Sequence, residues 1–303
     1  MGSDKTVAAV GRQSAEPGID LPATSIIMQP VSAKLQGGWD FDAKTIWQVR
    51  MVRAAFFTLV VVLTNASLFF IFPFSLTRLL LCALVYAAGN VLMIGLLFHP
   101  RSQVLVVNRS RVACDGNPCV ALTFDDGPTP DHTPQVLEIL REKGVKATFF
   151  LIGSRAEQER DLVRHMFAEG HCIGNHTYSH PALFCFLPPS RLRAEIDKGE
   201  AVIRDICGGS PCLFRSPVGL RHPLLDLYLK RAGLEYISWR LRAFDTRVQK
   251  PEVITQRILG KVSPGDIILL HDNSSAGVRV MLDVLPDLID KLKARGFGFV
   301  LVK

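Results

Sequence analysis

The chain has 303 residues, 48% of them hydrophobic, with a formal net charge of +7 and seven cysteines. That length holds one large domain or two modest ones, and so few cysteines cannot be the scaffold of a fold this size. The positive charge suits an anionic membrane or glycolipid; nucleic acid is set aside, because no dense Lys/Arg run interleaved with aromatics and no nucleic-acid motif is present.

Residues 1–43 are rich in Gly, Ser, Ala and Pro without apolar periodicity, which predicts a disordered tail. It is too long to be the n-region of a cleaved signal peptide. Residues 44–101 then read as a membrane anchor. Ile46, Trp47, Val49 and Met51, with Arg50 and Arg53, form an interfacial lead-in. The spans 54–72 and 77–98 are each about one bilayer long, with Arg78 the single charge between 54 and 98 and Pro73-Phe74-Ser75 breaking the run. A two-helix transmembrane hairpin follows as the expectation.

Residues 102–303 have the composition of a soluble α/β domain. In order, the pattern predicts a strand over 120–124, a helix over 133–143, a strand over 147–153, a helix over 156–168, and a short apolar approach at 172–174. A helix over 189–206, a strand at 213–215, a helix over 223–232 and a strand over 236–239 come next. Then follow a helix over 251–262, a strand over 266–270, a helix over 278–295 and a last strand over 298–302. Strands alternating with helices imply parallel pairing, in an open doubly wound sheet or a closed barrel. Neither nucleotide-binding fingerprint is present.

Two cysteine pairs, Cys114/Cys119 and Cys207/Cys212, each bracket a four-residue turn. Such turns bring Cα atoms within bonding range, and the spacing leaves two disulfides and four free thiols equally open.

The polar residues collect at the strand ends. Asp125 and Asp126 follow the first strand, Asn175-His176-Thr177-Tyr178-Ser179-His180 follows the approach at 172–174, and Arg215 starts RSPVG. Arg240, Arg242 and Asp245 follow 236–239, and His271-Asp272 follows 266–270. Parallel α/β folds gather such ends on one face and build their sites there. His176 and His180, four apart, would point the same way from one helical turn, and a carboxylate beside them completes a His2Asp set for a catalytic divalent ion. Zinc fits; cobalt, nickel and manganese share the ligand chemistry. Adjacent carboxylates repel, so one aspartate is expected to bind the ion and the other, facing the opposite way on extended backbone, to deprotonate water. His271 is the natural acid for a departing amine, Arg215 is placed to orient the base, and Asp245 to orient His271. Trp239, Phe149 and Phe150 read as core, and Asp272 as a local hydrogen-bonding group.

These motifs resemble the polysaccharide deacetylase family, the family 4 carbohydrate esterases, over roughly residues 118–303. TFDDGP at 123–128, HTYSH at 176–180 (the family's H[ST]xxH), RSPVG at 215–219 and LLHD at 269–272 stand in family order. The resemblance implies a distorted (β/α) barrel, Asp126, His176 and His180 as metal ligands, Asp125 as base and His271 as acid. It also implies that Arg215 tethers Asp125, that the Val218 backbone N–H serves the oxyanion and that Leu269 lines the acetyl pocket. The segment WRLRAFDT at 239–246 departs from the family's usual Asp-Trp pattern, with Asp245 taking the carboxylate role.

The expected protein is therefore a membrane-anchored, metal-dependent hydrolase that removes an N-acetyl or other small acyl group from an amino sugar. Its expected partners are the lipid bilayer and a lipid-linked glycan or glycolipid, with peptidoglycan or an exported polysaccharide as the alternative. A catalytically inactive glycan-binding domain is the rival of another class. The expected location is a bacterial inner membrane. Lys44, Arg50, Arg53, Arg101, Arg109 and Arg111 flank the hairpin and place the domain in the cytoplasm, whereas paired cysteines suggest an oxidising side.

Overall fold

A computed structural model of the chain describes residues 75–303 apart from 100–101, 104, 210, 248–249 and 273–277, together with 58–59, 61–64 and 66–67. The expected tail, the lead-in and most of the first span lie outside the described residues. Leu76–Phe98 forms a helix opened by the Ser75 hydroxyl, which accepts from the Arg78 N–H. Among the described residues no helix is long and apolar enough to cross a membrane; several side chains near the end of Leu76–Phe98 fall outside that set.

The domain that follows is built on a curled sheet in which all named strands pair in parallel. Its strands are β1 (Asn108–Arg109), β2 (Cys119–Asp125), β3 (Thr148–Leu151), β4 (Cys172–Asn175), β5 (Leu213–Phe214), β6 (Glu235–Ile237), β7 (Leu241–Arg242), β8 (Ile267–His271) and β9 (Gly298–Phe299). They lie in the order β1-β6-β5-β4-β3-β2-β8-β7, with β9 beside the start of β2. Edge strands β1 and β7 are missing from the sequence reading because two residues are too short to show alternation. The expected helix 156–168 is two helices, Gly153–Gln158 and Arg160–Ala168.

Period-two geometry sorts each strand into an outer and an inner row. Val120, Leu122 and Phe124 of β2 join Phe149 and Leu151 of β3 and Ile268 and Leu270 of β8 in the main core, packed against the helices. Phe124 and Phe149 stack with centroids 5.0 Å apart. The alternate residues Ala121, Phe150, Ile267 and Leu269 face the inside of the curl. Continuing that inner row past the apolar residues brings Thr123, Asp125 and His271 to the carboxyl edge. Asp125 lies in register with His271.

The cysteine pairs part company. Cys114 and Cys119 are disulfide-bonded, whereas Cys207 and Cys212 are free thiols. Burial pushes the Cys207 thiol up to about 11, so it is a poor nucleophile at neutral pH.

Asp272 knits the ends of β2 and β8 to the next helix. Its N–H donates to the Asp125 carbonyl (2.9 Å) and its Oδ2 accepts from the Thr133 hydroxyl (2.7 Å). A Cβ on Gly127 would lie 2.8 Å from that same Oδ2, so only glycine lets the turn pass. Burial pushes the carboxyl up to about 8 from an ordinary 3.8. The fold thus holds a proton that the unfolded chain releases near pH 4; this support is complete below about pH 4 and lost as pH rises through about 8. Asp272→Asn should therefore gain stability over the wild type between about pH 5 and about pH 9, by on the order of a few kcal/mol. Urea unfolding at both ends of that range measures it; a pH-independent difference would contradict the assignment.

Candidate active site

Four strand ends deliver the site, and Arg215 ties them together. It follows β5 and is fully buried. Its Nη1 donates to Asp125 Oδ1 (2.7 Å) and to the Thr123 hydroxyl (2.9 Å), both from the inner row of β2. Nε and Nη2 reach the carbonyls of Ile237 and Ser238 at 3.2 Å, at the end of β6. The guanidinium also stacks 4.1 Å over the Phe150 ring. A carboxylate buried like Asp125 is tolerated only with such a partner.

The same residue positions a histidine. His176, just past β4, donates from Nδ1 to the Arg215 carbonyl at 2.7 Å, which leaves Nε2 as the free ligand atom. That Nε2 lies 3.3 Å from Asp126 Oδ1, and His180 Nε2 lies 3.1 Å from the same oxygen. The three ligand atoms are all within 4.8 Å of one another. Ligands about 2.0–2.1 Å from a tetrahedral ion stand about 3.3 Å apart, so the donors fit a divalent metal. Burial alone would raise the Asp126 carboxyl; the two imidazoles hold it well below the usual carboxylate range. Burial likewise pulls His176 down, and the charges of Asp125 and Asp126 outweigh it to raise its imidazole.

Two geometric expectations change. The HxxxH pair does not ride on a helix: residues 176–180 are an irregular loop with Thr177 at φ 68° and His180 at φ 53°. Nor do the twin aspartates diverge by extended alternation: Asp126 sits at φ 71°, a left-handed residue, and both carboxylates approach the same His176 Nε2, Asp125 at 3.9 Å and Asp126 at 3.3 Å.

The loop's shape is imposed from outside. Asn175 Oδ1 accepts from the Thr177 N–H (2.9 Å), while its Nδ2 donates to the Ile196 carbonyl (2.9 Å). Glu195 accepts from the Ser179 N–H and hydroxyl at 2.8 and 2.6 Å. Both Ile196 and Glu195 belong to the helix Pro189–Cys207. Sequence reasoning missed these supports; Asn175, at the head of NHTYSH, was the available signal.

On the other side, β8 carries Leu269 and His271. His271 Nδ1 pairs with Asp245 Oδ1 at 2.9 Å, and the His271 N–H donates to Asp245 Oδ2 at 2.7 Å. Asp245 comes after β7 rather than after the strand 236–239, yet reaches its expected partner. Burial pulls the His271 imidazole down; the Asp245 hydrogen bond and the charges of Asp245, Asp125 and Asp126 raise it above its ordinary value. A cleft of about 140 Å³ is lined by Asp125, Asp126, His176, His180, Val218, Leu269 and His271. Every site residue expected from the sequence is therefore brought to it, Arg215 from beneath and Asp245 from behind His271. Trp239 is buried, as expected, and its edge also lines the cleft.

A curled parallel sheet with a His2Asp cluster, a separate tethered carboxylate and an aspartate-paired histidine at its carboxyl edge fits a metal-dependent hydrolase. Comparison with known proteins gives the family. The polysaccharide deacetylase model matches residues 113–237. A peptidoglycan-N-acetylglucosamine deacetylase of Bacillus cereus is 36% identical over 197 residues, covering 60% of this chain and 85% of that protein. A chitooligosaccharide deacetylase of Azorhizobium caulinodans is 35% identical over 190 residues, 59% of this chain and 90% of its own. The solved structure of the Bc1960 peptidoglycan N-acetylglucosamine deacetylase in complex with an N-oxidanyl-benzamide aligns with TM-score 0.61 and 34% identity, covering 64% of this chain and 90% of that one. This chain belongs to the polysaccharide deacetylase family.

Gly199 tests how tightly the loop is held. A Cβ there would lie 2.5 Å from Asn175 Oδ1 and 3.1 Å from the Thr177 carbonyl carbon. Gly→Ala inside a helix normally gains about 1 kcal/mol. Gly199→Ala should instead destabilise by about 1–3 kcal/mol and weaken metal binding by about tenfold or more. Thermal unfolding and chelator competition for bound zinc measure the two effects; a stabilised variant with unchanged affinity would show that the clamp is slack.

Proposed function

We propose that the chain is a metal-dependent N-deacetylase that removes an acetyl or similar small acyl group from an amino sugar in a membrane-associated, lipid-linked saccharide. The observation that carries the chemistry is one cleft holding the His2Asp cluster with Asp125 Oδ2 3.9 Å from the ligand atom of His176, and His271 in register across from it. A divalent ion held by Asp126, His176 and His180, zinc by preference of this donor set, would supply Lewis-acid polarisation of the acyl carbonyl and acidify water. Asp125, gripped by Arg215, takes the proton of the attacking water. The Val218 backbone N–H donates to the oxyanion as it develops. His271, steadied by Asp245 and held above its ordinary basicity, keeps the proton that the departing amine needs. Leu269 floors a pocket sized for a small acyl group.

The membrane part of the proposal rests on composition and exposure. Residues 54–98 carry one charge, and Leu76, Leu81, Tyr86 and Leu92 stay exposed around the helix Leu76–Phe98. A helix apolar on every side needs an apolar surrounding. The Cys114–Cys119 disulfide favours an oxidising compartment, and we place the domain on the exported side, against the charges flanking the hairpin. A peptidoglycan or exported-polysaccharide substrate is the second reading, favoured by what the relatives are named for. An inactive glycan-binding domain is disfavoured, since no member of the catalytic set is missing.

Purified protein should release acetate from acetylated chitooligosaccharides, lose that activity to a chelator and regain it with zinc. Asp125→Asn should lower kcat by about 10²–10⁴-fold; glycan binding without turnover in the wild type would refute the enzyme. Alkaline phosphatase fused after Lys303 should be active in cells and a β-galactosidase fusion inactive; the reverse would put the domain in the cytoplasm.

A further inference from the structure

A second cleft adjoins the first and takes no part in the chemistry above. It encloses about 220 Å³, and its lining gathers Arg240, Arg242, Arg257 and Lys261 around Phe244, with no carboxylate among the described residues that line it. Among the described residues the acid paired with one of these cations is Asp266, 3.9 Å from Arg240 and already bound to Arg111 at 3.1 Å and to the Ser263 N–H at 3.0 Å. Arg242 Nε is shielded from solvent without a hydrogen-bond partner among the described residues. The guanidiniums of Arg242 and Arg257 lie 5.1 and 4.8 Å from the same Phe244 ring, and Phe244 is itself held at φ 61°, a strained conformation for a bulky residue.

Gathering four like charges in a partly closed space costs Coulomb energy that an anion would recover. Three of the four are guanidiniums, whose planar forks match phosphoryl oxygens two at a time. A single sugar carboxylate would satisfy one fork and leave the rest repelling. The location adds a constraint: Trp239 and Arg242 line this cleft and the catalytic one, so a ligand group here would be joined to the sugar over Asp125. His99, the residue after the apolar helix Leu76–Phe98, also borders the cleft. That is where a phosphate between a saccharide and a lipid would sit.

We propose that this cleft is a phosphoryl subsite, taking the phosphate or diphosphate of the same acylamino sugar whose acyl group lies over Asp125. It rests on the deacetylase reading and narrows its substrate to a phosphoryl-bearing saccharide. Full-length protein in detergent, loaded with zinc, is assayed for acetate release from N-acetylglucosamine 1-phosphate and from unphosphorylated N-acetylglucosamine. The wild type should prefer the phosphorylated sugar at least tenfold in kcat/KM at low salt, with the preference shrinking as salt rises. The Arg257→Gln/Lys261→Gln double variant should lose most of the preference, and Arg257→Lys should keep part of it.

Calorimetry of chelator-treated protein with inorganic diphosphate gives a readout independent of turnover; the double variant should bind at least tenfold more weakly. Equal preference or equal diphosphate affinity in wild type and double variant would overturn the subsite. So would a variant whose one defect is reduced flotation with phosphatidylglycerol vesicles, which would make the cleft a membrane contact. If neither sugar is hydrolysed while diphosphate binding still depends on Arg257 and Lys261, the deacetylase reading fails and the phosphoryl subsite stands.

Discussion

The site depends on one buried guanidinium. Arg215 carries its charge into the interior of the curl, and the groups around it satisfy that charge: the Asp125 carboxylate, the Thr123 hydroxyl, two carbonyls at the end of β6 and the face of Phe150. The backbone of the same residue holds His176 by its Nδ1. The Asp125 carboxylate and the His176 imidazole are thereby positioned by the two ends of a single amino acid. Breaking a buried pair of this kind costs about 3–5 kcal/mol because the abandoned charge has nowhere to go. The catalytic geometry and the fold's own stability are therefore not separable at this point.

Most of the chemistry was legible because it is local in sequence. TFDDGP, HTYSH, RSPVG and LLHD each lie at the end of a strand whose apolar run is visible, and parallel pairing must bring such ends together. What was not legible depends on distant contacts. The helical reading of HxxxH failed because the loop's shape is dictated by Glu195 and Ile196, 16 and 21 residues along the chain from their partners and invisible in spacing. Strands β1 and β7 are defined by hydrogen bonds over two residues, too few for a periodic signal. The two cysteine pairs are alike in spacing, and nothing in their sequence separates the one that bonds from the one that does not.

The segment WRLRAFDT shows how a departure from a family pattern can be absorbed. Asp245 reaches His271 although β7 intervenes, because the backbone reverses hand at Phe244. The same reversal places the Phe244 ring under two arginines. One strained residue thus serves both His271 and the basic cleft beside it.

Residues 108–112 close the gap in the curl. The Arg109 and Ser110 carbonyls accept from the Ser238 and Ile267 N–H groups, and the Val112 N–H reaches the Gly265 carbonyl, with a bridge between Arg111 and Asp266. This connector between the apolar helix and the domain is thus also a stave of the barrel wall, and it lies wholly ahead of the matched family region that starts at 113. A pull on the chain ahead of residue 108 arrives directly at that seam, so the lead-in and the hoop are one piece of chain, and trimming the lead-in through residue 112 would spring the hoop.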